Sequence, residues 1–260
     1  ARECESLLGS TVDVVTPNGF EDDFVWNGRE FDEKRAEARR AMIRTAEATL
    51  SCKFDGEPLI VGTSGRYEFR NKGIDIFLDA LKQLAETDAL DREVLVYITV
   101  PSATTGPRKD LQAHLADENS PIDPKQNRFC THYLEHPEWD QILNSIAGSV
   151  LANPSSKVKV VFVPTYLNGR DGIFDKSYYE LLVGMDMTLF PSYYEPWGYT
   201  PLESTAFSVP TLTTTLAGFG LWAGSQGEHE GVTLVARNDD NYAEAAREIA
   251  KALLHFTKYT

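Results

Sequence analysis

Short β-branched runs separated by helical patterns predict an α/β chain built on a doubly wound, mostly parallel sheet. The runs are VDVV near 12–15, PLIVGTS near 58–64, VLVYITV near 94–100, VKVVFV near 158–163, MTLF near 187–190, PTLTT near 210–214 and GVTLV near 231–235. They are continuously apolar rather than alternating, the pattern of strands buried on both faces. Between them, KGIDIFLDALKQLAE carries Ile74, Phe77, Leu78, Leu81 and Leu84 at i, i+3, i+4, i+7 and i+10, which is one face of a helix.

The remaining elements follow in order. FDEKRAEARRAMIRTAEATLSC (31–52) predicts a strongly charged helix with a thin Ala/Met/Ile face, lying on the surface. The segment 101–137 sets turn residues (PSATTGPRKD, ENSPIDPKQN, EHPEW) around one short helical pattern and reads as an insertion. DDNYAEAAREIAKALLHF predicts a last helix with Asn241 or Asp240 as its cap. There is no internal repeat and no low-complexity tract.

At 260 residues with 42% hydrophobic side chains, the chain can hold one large domain with a sizeable core. No segment approaches the ~20 apolar residues of a membrane span. A formal charge of −14 argues against nucleic acid or an anionic membrane as the main partner. Cys4, Cys52 and Cys130 are odd in number and widely spaced, without metal or redox pattern, and point to a reducing, cytoplasmic compartment. The opening ARECESLLGS has neither a leader pattern nor an initiator Met, so a fragment or a processed chain is expected.

In an open parallel sheet, ligands bind where strand carboxyl ends lead into helix N-termini. Two stretches sit at such ends. In GRYEFRNKG, Arg66, Arg70 and Lys72 precede a helix starting near Gly73, where cations oppose the helix dipole. A phosphate site explains them; so does a solvated loop with ion pairs such as Arg70 with Glu68. In PSYYEPWGYTPLES (191–204), Thr200 to Glu203 fit a capping box with Pro201 at the first helical position. Glu195 lies outside that helix. The loop could offer amides to a diphosphate and a carboxylate to sugar hydroxyls, or its aromatics could simply plug the sheet.

Other candidates are weaker. Gly218 to Ala223 match G-x-G-x-x-A with Asp239 downstream, but GSQGEHEG looks too turn-rich for the helix a dinucleotide site needs. His132 and His136 at i, i+4 lack a third zinc ligand, so packing or surface roles are expected. No Ser, His and Asp order suggests a hydrolase.

SGRYEFRNKGIDIF and FPSYYEPWGYTPLE, followed by TTTLAGFG, closely resemble the glycogen synthases of animals, fungi and some bacteria (glycosyltransferase family 3). ECESLLGSTVDVVTPNGF is similar to that family's crossing between domains, and THYLEHPEWDQIL and VFVPTYLNG to its weaker middle motifs. The resemblance implies the second, donor-binding, Rossmann-like domain of a two-domain (GT-B) transferase. Residues 1–20 would end the first domain and cross over, and 21–260 would form the nucleotide-sugar domain. It further implies that Arg66 and Lys72 grip the donor diphosphate. Glu195 and Glu203 match two family glutamates with seven residues between them, one near the transferred glucose and one near the nucleotide. Tyr166 and Tyr178 match aromatics that sandwich uracil, and the backbone of Trp197, Gly198, Tyr199 and Thr200 would cap the phosphates.

The implied reaction is retaining transfer of glucose from UDP-glucose to the 4-hydroxyl of a glucan. Arg66 and Lys72 would stand in for a metal, so neither metal nor cofactor is expected. Glu195 would orient the sugar and stabilise its developing positive charge, without acting as a nucleophile. The first domain is expected to lie outside these residues. Homo-oligomer formation is expected of the full-length protein only. The arginine-rich helix through which eukaryotic members sense glucose 6-phosphate is not visible before KALLHFTKYT. The competing reading is a non-catalytic sugar-nucleotide-binding or scaffold domain; intact Arg66, Lys72 and Glu195 speak against it.

Overall fold

A computed structural model describes residues 2–227 and 231–258. Its strands are β1 (Leu59–Ser64), β2 (Val94–Thr99), β3 (Thr104–Pro107), β4 (His132–Leu134), β5 (Val158–Phe162), β6 (Met187–Phe190), β7 (Thr211–Thr214) and β8 (Val232–Val235). Six form one sheet in the order β5-β2-β1-β6-β7-β8, with every pair parallel. The two-residue period of the strands sorts their side chains between two layers. Leu59, Val61, Val94, Val96 and Ile98 join the core on one face, and Ile60, Leu95 and Tyr97 join the core on the other. The result is a sheet with helices on both sides.

The first layer holds α3 (Ile74–Ala85) and α9 (Tyr242–Phe256). All five apolar positions expected of α3 are buried, together with Ala245, Ala246, Ile249 and Leu253 of α9. Asn241 is the residue before α9, although its side chain does not cap that helix.

The second layer corrects one expectation. The charged helix is α2 (Gly28–Leu50), and it does not merely lie on the surface. Ala38, Met42, Thr45, Ala46, Ala48 and Thr49 are buried, a stripe whose small and hydroxylated members keep its hydropathy low. Gly184 lies so close that a Cβ there would sit 2.7 Å from that of Ala38. Two of the helix charges point inward. Arg35 donates to the carbonyls of Val183 and Met185, Arg39 to those of Gly184 and Pro58, and both pair with Asp186. The second oxygen of Asp186 accepts the amide of Ile60 in β1.

VDVV, expected as a strand, is irregular, with Val14 72% and Val15 65% exposed. β-Branched residues favour a pleated, packed surface, and this run follows α1 (Arg2–Leu8) without a strand neighbour among the described residues. The segment 101–137 contains more order than its turns suggest. β3 and β4 pair antiparallel, and α4 (Lys109–Ala116) follows β3. Its centre is Arg108, only 1% exposed, which pairs with Asp110 and donates to the carbonyls of Asn127 and Cys130. His132 is a core residue, with Nδ1 at the Thr131 hydroxyl and Nε2 at the Asp171 carbonyl. His136 instead stacks on Trp139.

Strand order reverses between β1 and β6, so the crevice beyond their carboxyl ends is the natural ligand position. Gly73 ties those two ends together. Its φ is +70°, and a Cβ on it would lie 1.9 Å from the carbonyl oxygen of Pro191. The loop leaving β6 therefore rests directly on the start of α3. The Tyr193 amide bonds to the Asn71 carbonyl at 2.8 Å, and the Arg237 guanidinium holds the Pro191 carbonyl. Gly73→Ala is expected to cost about 2–4 kcal/mol, from overpacking plus an unfavourable left-handed residue. Urea unfolding checks this, and an unchanged midpoint would mean that the crossing yields freely.

Candidate functional site

A cavity of about 500 Å³ opens at the crevice. Ser64, Gly65, Arg66 and Tyr67 reach it from the end of β1, Thr99 and Pro101 from β2, and Thr165 to Asn168 from beyond β5. Tyr178 and Tyr179 come from α6 (Tyr178–Leu182), and Thr200 and Glu203 from α7 (Tyr199–Ala206). Ser177 and Glu180 form a capping box that starts α6 beside the cavity.

The capping box expected at Thr200 and Glu203 is absent. Gly198, at φ 101°, precedes α7, and no side chain caps the helix. Thr200 and Pro201 are already inside its first turn, so the Thr200 hydroxyl and the Glu203 carboxylate are not used as caps. Glu203 instead accepts the Tyr179 hydroxyl at 2.9 Å. Burial raises its carboxyl above the usual range, and the Tyr179 bond partly opposes that shift.

Of the residues named from sequence, Arg66, Tyr166, Tyr178, Thr200 and Glu203 share this cavity. Tyr166 is 73% exposed. Tyr178 is half-buried and its hydroxyl accepts from Ser64 at 2.8 Å, with burial pushing the phenol above its ordinary value. The Arg66 side chain is 76% exposed and lies 3.1 Å from Glu68, so Arg66 takes the place expected of Arg70 in that ion pair. Exposed pairs contribute little, which leaves the guanidinium available.

Lys72 differs from expectation. It does not stand unpartnered before α3 but pairs with Glu195, the two side chains being 18% and 20% exposed. The crossing at Gly73 brings the two loops together, and the Glu195 backbone is fixed by bonds to Leu216 and Gly218. The pair sits on loops adjoining the cavity rather than in its lining. Trp197 packs edge-on against Phe219 and tilted to Trp222, its indole N–H buried without an acceptor among the described residues. Tyr199 is half exposed, and its hydroxyl accepts the Asn18 side-chain amide at 2.9 Å.

The G-x-G-x-x-A stretch itself forms α8 (Gly218–Ser225), which runs only two residues into GSQGEHEG; Gln226 is already a turn, as that turn-rich sequence suggests, and residues 228–230 lie outside the described residues. Its glycines serve packing: a Cβ would lie 2.2 Å from the Pro196 oxygen at Gly218 and 2.3 Å from the Thr214 oxygen at Gly220. Asp239 accepts the Tyr193 hydroxyl. Among the described residues no group of three or more His, Cys, Asp or Glu is arranged to hold a metal, and no helix is long and apolar enough to cross a membrane.

Sequence reasoning missed Ser64, Tyr67, Tyr179 and Arg237. The doubled tyrosine after Ser177 was the one available signal, since adjacent helical residues reach neighbouring surfaces. An isolated buried arginine such as Arg237 gives none. Lys72→Met leaves Glu195 half-buried and alone, so a loss of about 1–3 kcal/mol is expected, between the values for exposed and buried pairs. Adding Glu195→Gln is expected to return part of that loss. Thermal unfolding of both variants checks this, and a parental melting temperature for Lys72→Met would make the ion pair energetically idle.

The family model for glycogen synthase matches residues 1–116 and 121–260. Glycogen (starch) synthase of Neurospora crassa is 28% identical, over 99% of this chain and 45% of the relative. The human liver glycogen (starch) synthase is 29% identical, again over 99% of this chain and 45% of the relative. A solved structure of WaaG, a glycosyltransferase involved in lipopolysaccharide biosynthesis, aligns with a TM-score of 0.42 at 16% identity, over 90% of this chain and 48% of that one. The chain thus spans about half the length of the curated relatives it matches. It belongs to the glycogen synthase family.

Proposed function

We propose that this chain is the donor-binding half of a cytoplasmic glycogen (starch) synthase. The enzyme would transfer glucose from UDP-glucose, with retention, to the non-reducing 4-hydroxyl of an α-1,4-glucan. The observation that carries this reading is the cavity at the β1/β6 crevice, which combines four tyrosines, an available arginine and a carboxylate beside the Lys72–Glu195 pair. The uracil would lie against Tyr166 and Tyr178, and Glu203 would face the nucleotide side.

The barrier to such a transfer is charge separation. As the bond from the sugar to the diphosphate breaks, negative charge gathers on the leaving oxygens and positive charge on the ring. Lys72 and Glu195 already hold opposite charges side by side, so the leaving group would draw Lys72 and the ring would face Glu195. Such groups stabilise the transition state because they need not reorient when charge develops. Arg66 would take the outer phosphate oxygens, and the uncapped amides of α7 would add donors at the positive end of a helix dipole. These groups supply the charge that a metal would otherwise bring, so we expect the reaction to need none. The glucan and the remainder of the donor would meet the protein's other half.

In the full-length protein, Glu195→Gln is expected to lower kcat for glucan extension from UDP-glucose by roughly 100-fold or more, the scale of losing one preorganised electrostatic group. Parental turnover in that variant would sink the assignment. Tyr178→Ala is expected to weaken UDP binding by about 1–3 kcal/mol in a calorimetric titration, as stacking against a base requires. Residues 1–260 alone are expected to bind UDP weakly and to transfer no glucose.

A further inference from the structure

We infer that Tyr179 is a positioning residue for the donor: its hydroxyl fixes one oxygen of Glu203 so that the other is presented, as an acceptor, to a hydroxyl group of the bound ligand. This rests on the reading of the cavity as the donor site. Tyr179 spans one face of α7. Its ring stacks on Phe207 at 4.9 Å and 14°, and its hydroxyl meets Oε1 of Glu203 at 2.9 Å. Glu203 and Phe207 are four residues apart, so a tyrosine anchored on the second is aimed at the first. Phe24 packs against both rings, 5.3 Å from that of Tyr179 and 5.8 Å from that of Phe207. The hydroxyl is therefore held in place by packing that Glu203 takes no part in.

The Glu203 side chain has several rotors and is half-buried, and a desolvated carboxylate left to itself is costly and poorly directed. Tyr179 satisfies Oε1. Oε2 has no hydrogen-bond partner among the described residues, while Glu203 lines the cavity. A polar group held this way favours a ligand that donates to it and rejects one that cannot.

The titratable groups facing Glu203 are Tyr178 and Tyr179 of α6; Arg66 and Tyr166 line the same cavity from the loops, and Tyr199 shares α7. Burial raises the Glu203 carboxyl and the Tyr179 bond lowers it. Removing that bond would let the carboxyl titrate at a still higher pH. Donor affinity that needs the ionised acceptor would then be lost sooner as pH falls.

The test uses steady-state kinetics of the full-length protein with UDP-glucose and glycogen. Tyr179→Phe keeps the stacked ring and removes only the hydroxyl. Its donor KM is expected to rise roughly ten-fold, the scale of one hydrogen bond to a charged group, with kcat moving less. The acid limb of kcat/KM for the donor is expected to shift to higher pH, while the melting temperature stays near the parent's. In a Glu203→Ala background, Tyr179→Phe is expected to add nothing. If Glu203→Ala raises the donor KM but Tyr179→Phe alters neither KM nor the acid limb, Tyr179 only packs and the inference fails alone. If Glu203→Ala itself leaves the donor KM at the parental value, the donor reading of the cavity fails and takes the inference with it.

Discussion

The backbone crossing at Gly73 is the constraint on which the site depends. The chain leaving β6 lies against the start of α3 so closely that a single added carbon would meet the Pro191 carbonyl. No side chain but hydrogen fits, and the left-handed backbone there also favours glycine. Because the two loops touch at that point, Lys72 on one finds Glu195 on the other. Arg237 reinforces the contact from below, holding the Pro191 carbonyl with its guanidinium over the Tyr193 ring. A positively charged group is thus spent on backbone geometry, while Arg66 lines the cavity and Lys72 is held beside it by Glu195.

A second charged anchor sets the opposite end of β6. Asp186 joins two guanidiniums of α2 to the amide of Ile60, and so ties a helix, the entry to β6 and the neighbouring strand β1 at one carboxylate. Partly buried charges of this kind are tolerable because each is paired and further hydrogen-bonded. Burial alone would lower the pKa of Arg39, but its bonds to Asp186 and Glu57 leave it raised. The strand that feeds the site is held at its start by ion pairs and at its end by steric fit.

The parallel sheet was legible because its strands are short runs of β-branched and aliphatic residues without polar alternation, and six of the seven runs became its strands. α3 was legible because its buried face is made mostly of large apolar side chains, Ile, Leu and Phe. VDVV misled because a β-branched run is a strand only when a neighbour pairs with it. α2 misled because alanine and threonine can be buried without raising hydropathy, and because Arg35 and Arg39 turn inward only where Asp186 awaits them. At the site, residue identities in the two long motifs were legible and their pairings were not. The partners Lys72 and Glu195 belong to segments 123 positions apart. A start signal at Thr200 competed with Gly198, whose backbone conformation ends the loop two residues earlier.

The same topology has a consequence for a chain still being synthesised. Ile60 and Asp186, whose contact marks the union of β1 with β6, are separated by 126 positions. At ~5–20 residues per second, β1 waits roughly 6–25 s for that neighbour to emerge. Throughout this interval the strand has one bare edge of amides and carbonyls flanked by Leu59, Ile60 and Val61, the kind of surface that invites foreign strands. Nascent chains of this topology therefore pass through a stage in which one side of the future crevice is an adhesive edge, closed only when the later half of the sheet arrives.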